Sequence, residues 1–79
     1  MITSAKKLLG ENEQNLGKWV QVTPDEEEAV RDSVVGSNYE RGAVGRPTLR
    51  MYSRDGYVVL CTRDVMAETH PNDLNGNKI

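Results

Sequence analysis

His70 and Cys61 are the only histidine and the only cysteine of this 79-residue chain. A catalytic base needs a fixed geometry and a positioned partner. His70 stands between Thr69 and Pro71 near the end of the sequence, a setting that suggests neither, so it reads as an ordinary surface histidine. Cys61 closes the apolar run "YVVLC". A neighbouring cation can lower a thiol pKa, and Arg50 is its expected cross-strand neighbour, but a lone cysteine in a strand reads as an inert small hydrophobe. One histidine and one cysteine do not make a zinc site. Asp25, Glu26, Glu27 and Glu28 are consecutive, so on a helix they fan out rather than converge, and no calcium-loop spacing is present. The expectation is therefore no catalytic residue, no metal, no cofactor and no enzyme.

Two arrangements could still bind a partner. "GAVG", residues 42–45, precedes Arg46. A G-x-x-G loop can clamp a nucleic-acid backbone when it lies between two helices, but here a strand follows, so it reads as a flexible loop. Neither G-x-G-x-x-G nor a Walker A motif occurs. The stronger arrangement lies in "TLRMYSRDGYVVLC", residues 48–61. Two strands there flank Asp55-Gly56, a dipeptide suited to a two-residue type I′ turn. That turn fixes register: Arg54 faces Tyr57, Ser53 faces Val58, Tyr52 faces Val59, Met51 faces Leu60, Arg50 faces Cys61 and Leu49 faces Thr62. One face of the ribbon then carries Leu49, Met51, Ser53, Val58, Leu60 and Thr62, the expected core. The other carries Arg50, Tyr52, Arg54, Tyr57, Val59 and Cys61. Tyrosine and arginine are enriched in interface hot spots, although exposed strands favour such side chains for their own sake. The candidate contact residues are Arg41, Arg46, Arg50, Tyr52, Arg54 and Tyr57.

The elements that must position them follow from local signals. Residues 4–9 can form a short helix capped by Thr3 or Ser4 and stopped by Gly10. "KWVQVT" reads as a strand near 18–22, with Val20 and Val22 on one face and Trp19 and Gln21 on the other. The clearest helix signal is "TPDEEEAVRDSVVGS". Thr23 caps, Pro24 takes the first helical position, and Glu26 completes a capping box. Asp25, Glu26 and Glu27 favour the positive end of the helix dipole, which accounts for the acidic run. Ala29, Val30, Ser33 and Val34 form the inward stripe, Glu27 and Arg31 an i,i+4 pair. Gly36 is the expected stop, giving a helix near 24–35. Residues 37–47 hold Gly42, Gly45 and Pro47 and read as a long loop. Residues 64–71 suggest one last helical turn, begun by Asp64 and ended by Pro71.

Composition fits this small scale. Apolar residues make up 37% of the chain and charged residues 28%, and no run approaches the roughly 20 apolar residues of a membrane span. A chain of this length buries only about 60–65% of its unfolded surface. One cysteine cannot form an internal disulfide, which points to a reducing, cytoplasmic setting, and the first residues lack a secretory apolar stretch. The net charge of −2 hides a polarity: residues 11–32 hold seven acids against two bases, and residues 33–63 hold five arginines against two acids.

These readings combine into one small α+β domain over 1–79, with 1–3 and 72–79 frayed. About three antiparallel strands, near 18–22, 48–54 and 57–63, carry the 24–35 helix on one face. An alternative with the same element order is winged-helix-like. There 37–45 would be a recognition helix and 48–63 the wing, with Arg41 and Arg46 in the major groove and Arg50 and Arg54 on phosphates. The expected function is non-enzymatic docking on another protein, as a regulator or inhibitor. Nucleic-acid binding by a transcriptional regulator is the alternative. No membrane is involved, and an exposed hairpin edge makes a homodimer plausible.

Overall fold

The computed structural model describes residues 4–73. In chain order the elements are α1 (Ala5–Leu9), β1 (Val20–Gln21), α2 (Pro24–Ala43), β2 (Arg50–Arg54) and β3 (Tyr57–Cys61). The three strands form one antiparallel sheet in the order β1-β3-β2, with β3 in the centre. This is the small α+β domain that the sequence implies.

Local chemistry starts each helix. Ser4 caps α1 by accepting from the Lys7 amide, and Gly10 follows the last turn. Thr23 caps α2. Its hydroxyl accepts from the Glu26 amide at 3.2 Å, and the Glu26 carboxylate accepts from the Thr23 amide at 3.0 Å. The hairpin register is the one expected, from Arg54↔Tyr57 to Arg50↔Cys61. Asp55 and Gly56 have φ of +50° and +82°, as a type I′ turn requires. The expected Leu49–Thr62 pair lies outside this ladder.

The helices cover one face of the sheet. Ala5, Leu8 and Leu9 of α1 and Val30 of α2 pack on Val22, Leu49, Val58 and Leu60. The Ser33 hydroxyl ties the two helices together, accepting from the Ala5 amide at 2.6 Å and donating to the Val30 carbonyl at 2.8 Å.

Three expectations need correction. The first is the end of α2. The helix runs on past Gly36 to Ala43, because its inner side finds partners there. The Asn38 side chain donates to the Leu49 carbonyl at 3.1 Å and accepts from the Leu49 amide at 2.6 Å. Arg41 donates from Nε to the Pro47 carbonyl at 2.6 Å. Such tertiary contacts outweigh a helical glycine's cost of about 1 kcal/mol. The stop is Gly45, with φ +74°. The Arg46 amide donates to the Arg41 carbonyl and the Gly45 amide to the Gly42 carbonyl, a Schellman motif. Residues 37–43 are thus neither a loop nor a separate recognition helix, and the winged-helix alternative loses its reading element.

The second correction concerns the outer face of the ribbon. Val59 and Cys61 are buried there with Ala67, against Trp19. Their cover is a strap formed by residues 62–73, which has no helical turn. Thr62 redirects the chain, its hydroxyl accepting from the amides of Asp64 and Val65. Gly17 joins strap to sheet: its amide donates to Leu60 and its carbonyl accepts from Glu68, both at 2.7 Å. A Cβ on Gly17 would come within 2.8 Å of the Met66 carbonyl. Ser53, by contrast, points to the helix-covered face yet is exposed, since it lies at the sheet edge beyond the hydrophobic cluster.

The third is His70, which is only 1% exposed. Trp19 and Tyr57 pack edge-on against its ring, with centroids at 4.6 and 5.3 Å. Its Nδ1 accepts from the Asn72 amide and its Nε2 lies 3.0 Å from the Arg54 carbonyl. This pairing fits the neutral tautomer with the proton on Nε2. Of the residues expected to fray, Asn72 and Asp73 each donate an amide to His70, to its Nδ1 and its carbonyl respectively; 1–3, including Thr3, and 74–79 lie outside the described residues.

Gly36 faces open space: a Cβ added there would meet nothing within 4 Å. Gly36→Ala is therefore expected to raise unfolding free energy by about 0.5–1 kcal/mol, measured by urea denaturation. A loop at 36, as the sequence suggests, would give no gain.

Candidate functional site

The six candidate contact residues separate into two groups. Arg41 is 8% exposed. Besides Pro47 it binds Glu13, its Nη1 lying 3.2 Å from each carboxylate oxygen. Arg46 reaches the same carboxylate from the surface, at 2.7 Å. Arg54 forms a two-pronged pair with Asp73, at 2.8 and 2.7 Å. Tyr57 is half-buried against His70. Each of these four side chains has a partner within the fold, and Arg41 is buried with its own. Arg50 and Tyr52 remain exposed on the outer face of β2.

The strap explains this division. It crosses the outer face over β3 and β1, where Ala67, Glu68 and His70 meet Val59, Trp19 and Tyr57. The outer side of β2 stays open. Beside it lies a shallow groove of about 240 Å³ lined by Arg46, Pro47, Thr48, Arg50 and Arg63. Arg63 is not among the residues that the sequence singles out; its place in the arginine-bearing half is the only signal for it. A second cleft, of about 380 Å³, lies between α1 and the end of α2, with Leu9, Glu13 and Arg41 in its wall.

Charge placement follows from these pairs. Burial alone would raise the Glu13 carboxyl pKa, but hydrogen bonds from Arg46 and Arg41, with their charges, hold it below its ordinary 4.5. The Arg54 hydrogen bond holds the Asp73 carboxyl below its ordinary 3.8. Burial raises the Cys61 thiol pKa, outweighing the Arg50 charge and a backbone hydrogen bond from Ala67. Cys61 is thus a packed side chain and not an activated thiolate.

The edge of β2 has its own order. The residues flanking a two-residue turn form a hydrogen-bonded pair, and pairs alternate along the ladder. Arg54, Tyr52 and Arg50 therefore turn their backbone groups toward β3. Leu49, Met51 and Ser53 turn theirs outward. Asn38 takes the outward amide and carbonyl of Leu49. Among the described residues, those of Met51 and Ser53 meet no protein partner.

Comparison with protein families, with curated proteins and with solved structures finds no match. No helix among the described residues is long and apolar enough to cross a membrane.

Glu13 carries a testable consequence. Its folded-state pKa is depressed, so its stabilisation is present above about pH 4.5 and is lost as pH falls through the lower folded value. Glu13→Gln leaves Arg41 without its anion and is expected to cost about 1–2 kcal/mol at pH 7. The gap between variant and parent should narrow below pH 4. Urea melts at pH 7 and pH 3 check this; equal stabilities at pH 7 would contradict it.

Proposed function

We propose that this chain is a small non-enzymatic protein that docks on another protein, as a regulator or inhibitor, through the open side of β2. The observation that carries this reading is the contrast around that strand. Arg41, Arg46 and Arg54 are paired with acids and Tyr57 packs on His70, whereas Arg50 and Tyr52 are exposed with no ion-pair or ring partner among the described residues, beside a groove that Arg63 also lines. Arginine and tyrosine are the residue types that anchor interfaces, because each combines a large contact area with directed hydrogen bonds. His70 and Cys61, the residues most able to do chemistry, are both spent on packing, which favours binding over catalysis. A reducing, cytoplasmic setting fits a chain whose single cysteine is free.

Arg50→Ala combined with Tyr52→Ala tests the reading. The double variant should keep the parent's circular dichroism and lose at least about 2 kcal/mol of affinity for proteins captured by the immobilised parent chain. Retention of the same proteins by both baits would refute the site. So would strong, salt-dependent binding of labelled duplex DNA by the parent, which would point to phosphate contacts instead.

A further inference from the structure

We propose that β2 accepts an acidic, extended segment of the partner as a fourth strand of the sheet, hydrogen-bonded to Met51 and Ser53. This rests on the docking reading above and specifies its chemistry.

Two observations lead to it. The first is Asn38. Its side-chain amide donates to the Leu49 carbonyl and accepts from the Leu49 amide, as the backbone of an adjacent strand would. α2 therefore closes the outward edge of β2 at Leu49. Two residues further on, the outward groups of Met51 and Ser53 continue the same row without a protein partner among the described residues. β2 is also an end strand in the order β1-β3-β2. An edge of this kind is a template for strand addition.

The second observation is charge. Arg50 and Arg54 flank Tyr52 on the outer face of β2, and Arg46 and Arg63 line the groove beside Arg50. Asp73 and Asp55 lie against Arg54, and Glu13 against Arg46. Asp64 lies 4.0 Å from Arg63, and among the described residues Arg50 alone of these arginines has no acid within ion-pair distance. Side chains of an added strand alternate between faces, so acids at every second position would line up on the arginine side, one of them opposite Arg50. Opposite charges directly across a ladder stabilise it, and like charges oppose it.

The same rule disfavours a second copy. Antiparallel self-pairing with the fullest overlap sets Tyr52 against itself, and Arg50 of each copy against Arg54 of the other. A nucleic acid would meet the arginines, but its sugar-phosphate backbone lacks the peptide N–H and C=O groups that extend a sheet.

The experiment is amide hydrogen exchange by NMR on the ¹⁵N-labelled full chain, with synthetic peptides. One peptide alternates Glu with Val and Thr; a second carries Lys in place of Glu. Two more acidic peptides are N-methylated, on the odd or on the even residues. The acidic peptide should slow exchange at Met51 and Ser53 by roughly tenfold or more, because each amide gains a backbone acceptor. The Lys peptide should not. Only one of the two N-methylation patterns should abolish binding, since strand addition uses one edge of the peptide. Arg50→Glu should weaken binding roughly tenfold or more.

Binding that leaves Met51 and Ser53 unprotected, or that survives both N-methylation patterns, would overturn strand addition while leaving docking on Arg50 and Tyr52 intact. No binding of the acidic peptide at millimolar concentration would overturn it too. Concentration-dependent protection without any peptide would assign the edge to a second copy. Loss of captured partners on mutating Arg50 and Tyr52 would stand independently of all these results.

Discussion

The structure depends on one strand being buried on both of its faces. Val58, Val59 and Leu60 are all fully buried, and Cys61 nearly so. Each buried aliphatic side chain contributes roughly 1.5–3 kcal/mol relative to exposure, a large share of what a domain this small can gather. A strand buried in this way needs two covers. The helices supply the first, with α1 and Val30 against Val58 and Leu60. The strap supplies the second, with Ala67 against Val59 and Cys61.

A polar strap needs fixed hydrogen bonds to stay on an apolar face. Gly17 and Trp19 receive it at Glu68, His70 locks it to the Arg54 carbonyl, and Asp73 closes the Arg54 guanidinium. These bonds decide which arginines are left for other work. Arg54 goes to the strap, while Arg41 and Arg46 hold the 10–17 loop through Glu13. What stays open is the edge strand with Arg50 and Tyr52, and the candidate surface is in this sense what the sealing of β3 leaves over.

Much of this architecture could be read from the chain, and the readable parts share a short range. The Thr23–Glu26 box spans three residues, and the Asp55-Gly56 turn sets the ladder by itself. Alternation then places Arg50 and Tyr52 on the outward face. What covers a face depends on partners far away in sequence. Asn38 meets Leu49 eleven residues on, and Arg41 meets Glu13 across 28. Trp19 meets Glu68 across 49. Gly36 looks like a stop because glycine is a local signal, and the contacts that carry α2 past it are not. His70 looks like a tail residue because its neighbours are Thr69 and Pro71, whereas its environment is Trp19 and Tyr57. The arginines of the candidate site can be named by type, but not divided into acid-paired and unpaired ones without the fold that brings their acids to them.

Timed thiol labelling of Cys61 is the most direct measurement of the claim that the strap, pinned by His70, seals the second face of β3. Cys61 lies under Ala67, on the opposite side of the sheet from α1 and α2, so its reactivity reports the strap and not the helical core. The parent chain should be labelled at least about a hundredfold more slowly than the urea-unfolded chain, since local openings of a few kcal/mol limit access. His70→Ala should speed labelling at least about tenfold while the helical circular dichroism holds. Equal labelling rates in the parent and in His70→Ala, with both chains folded, would contradict the account.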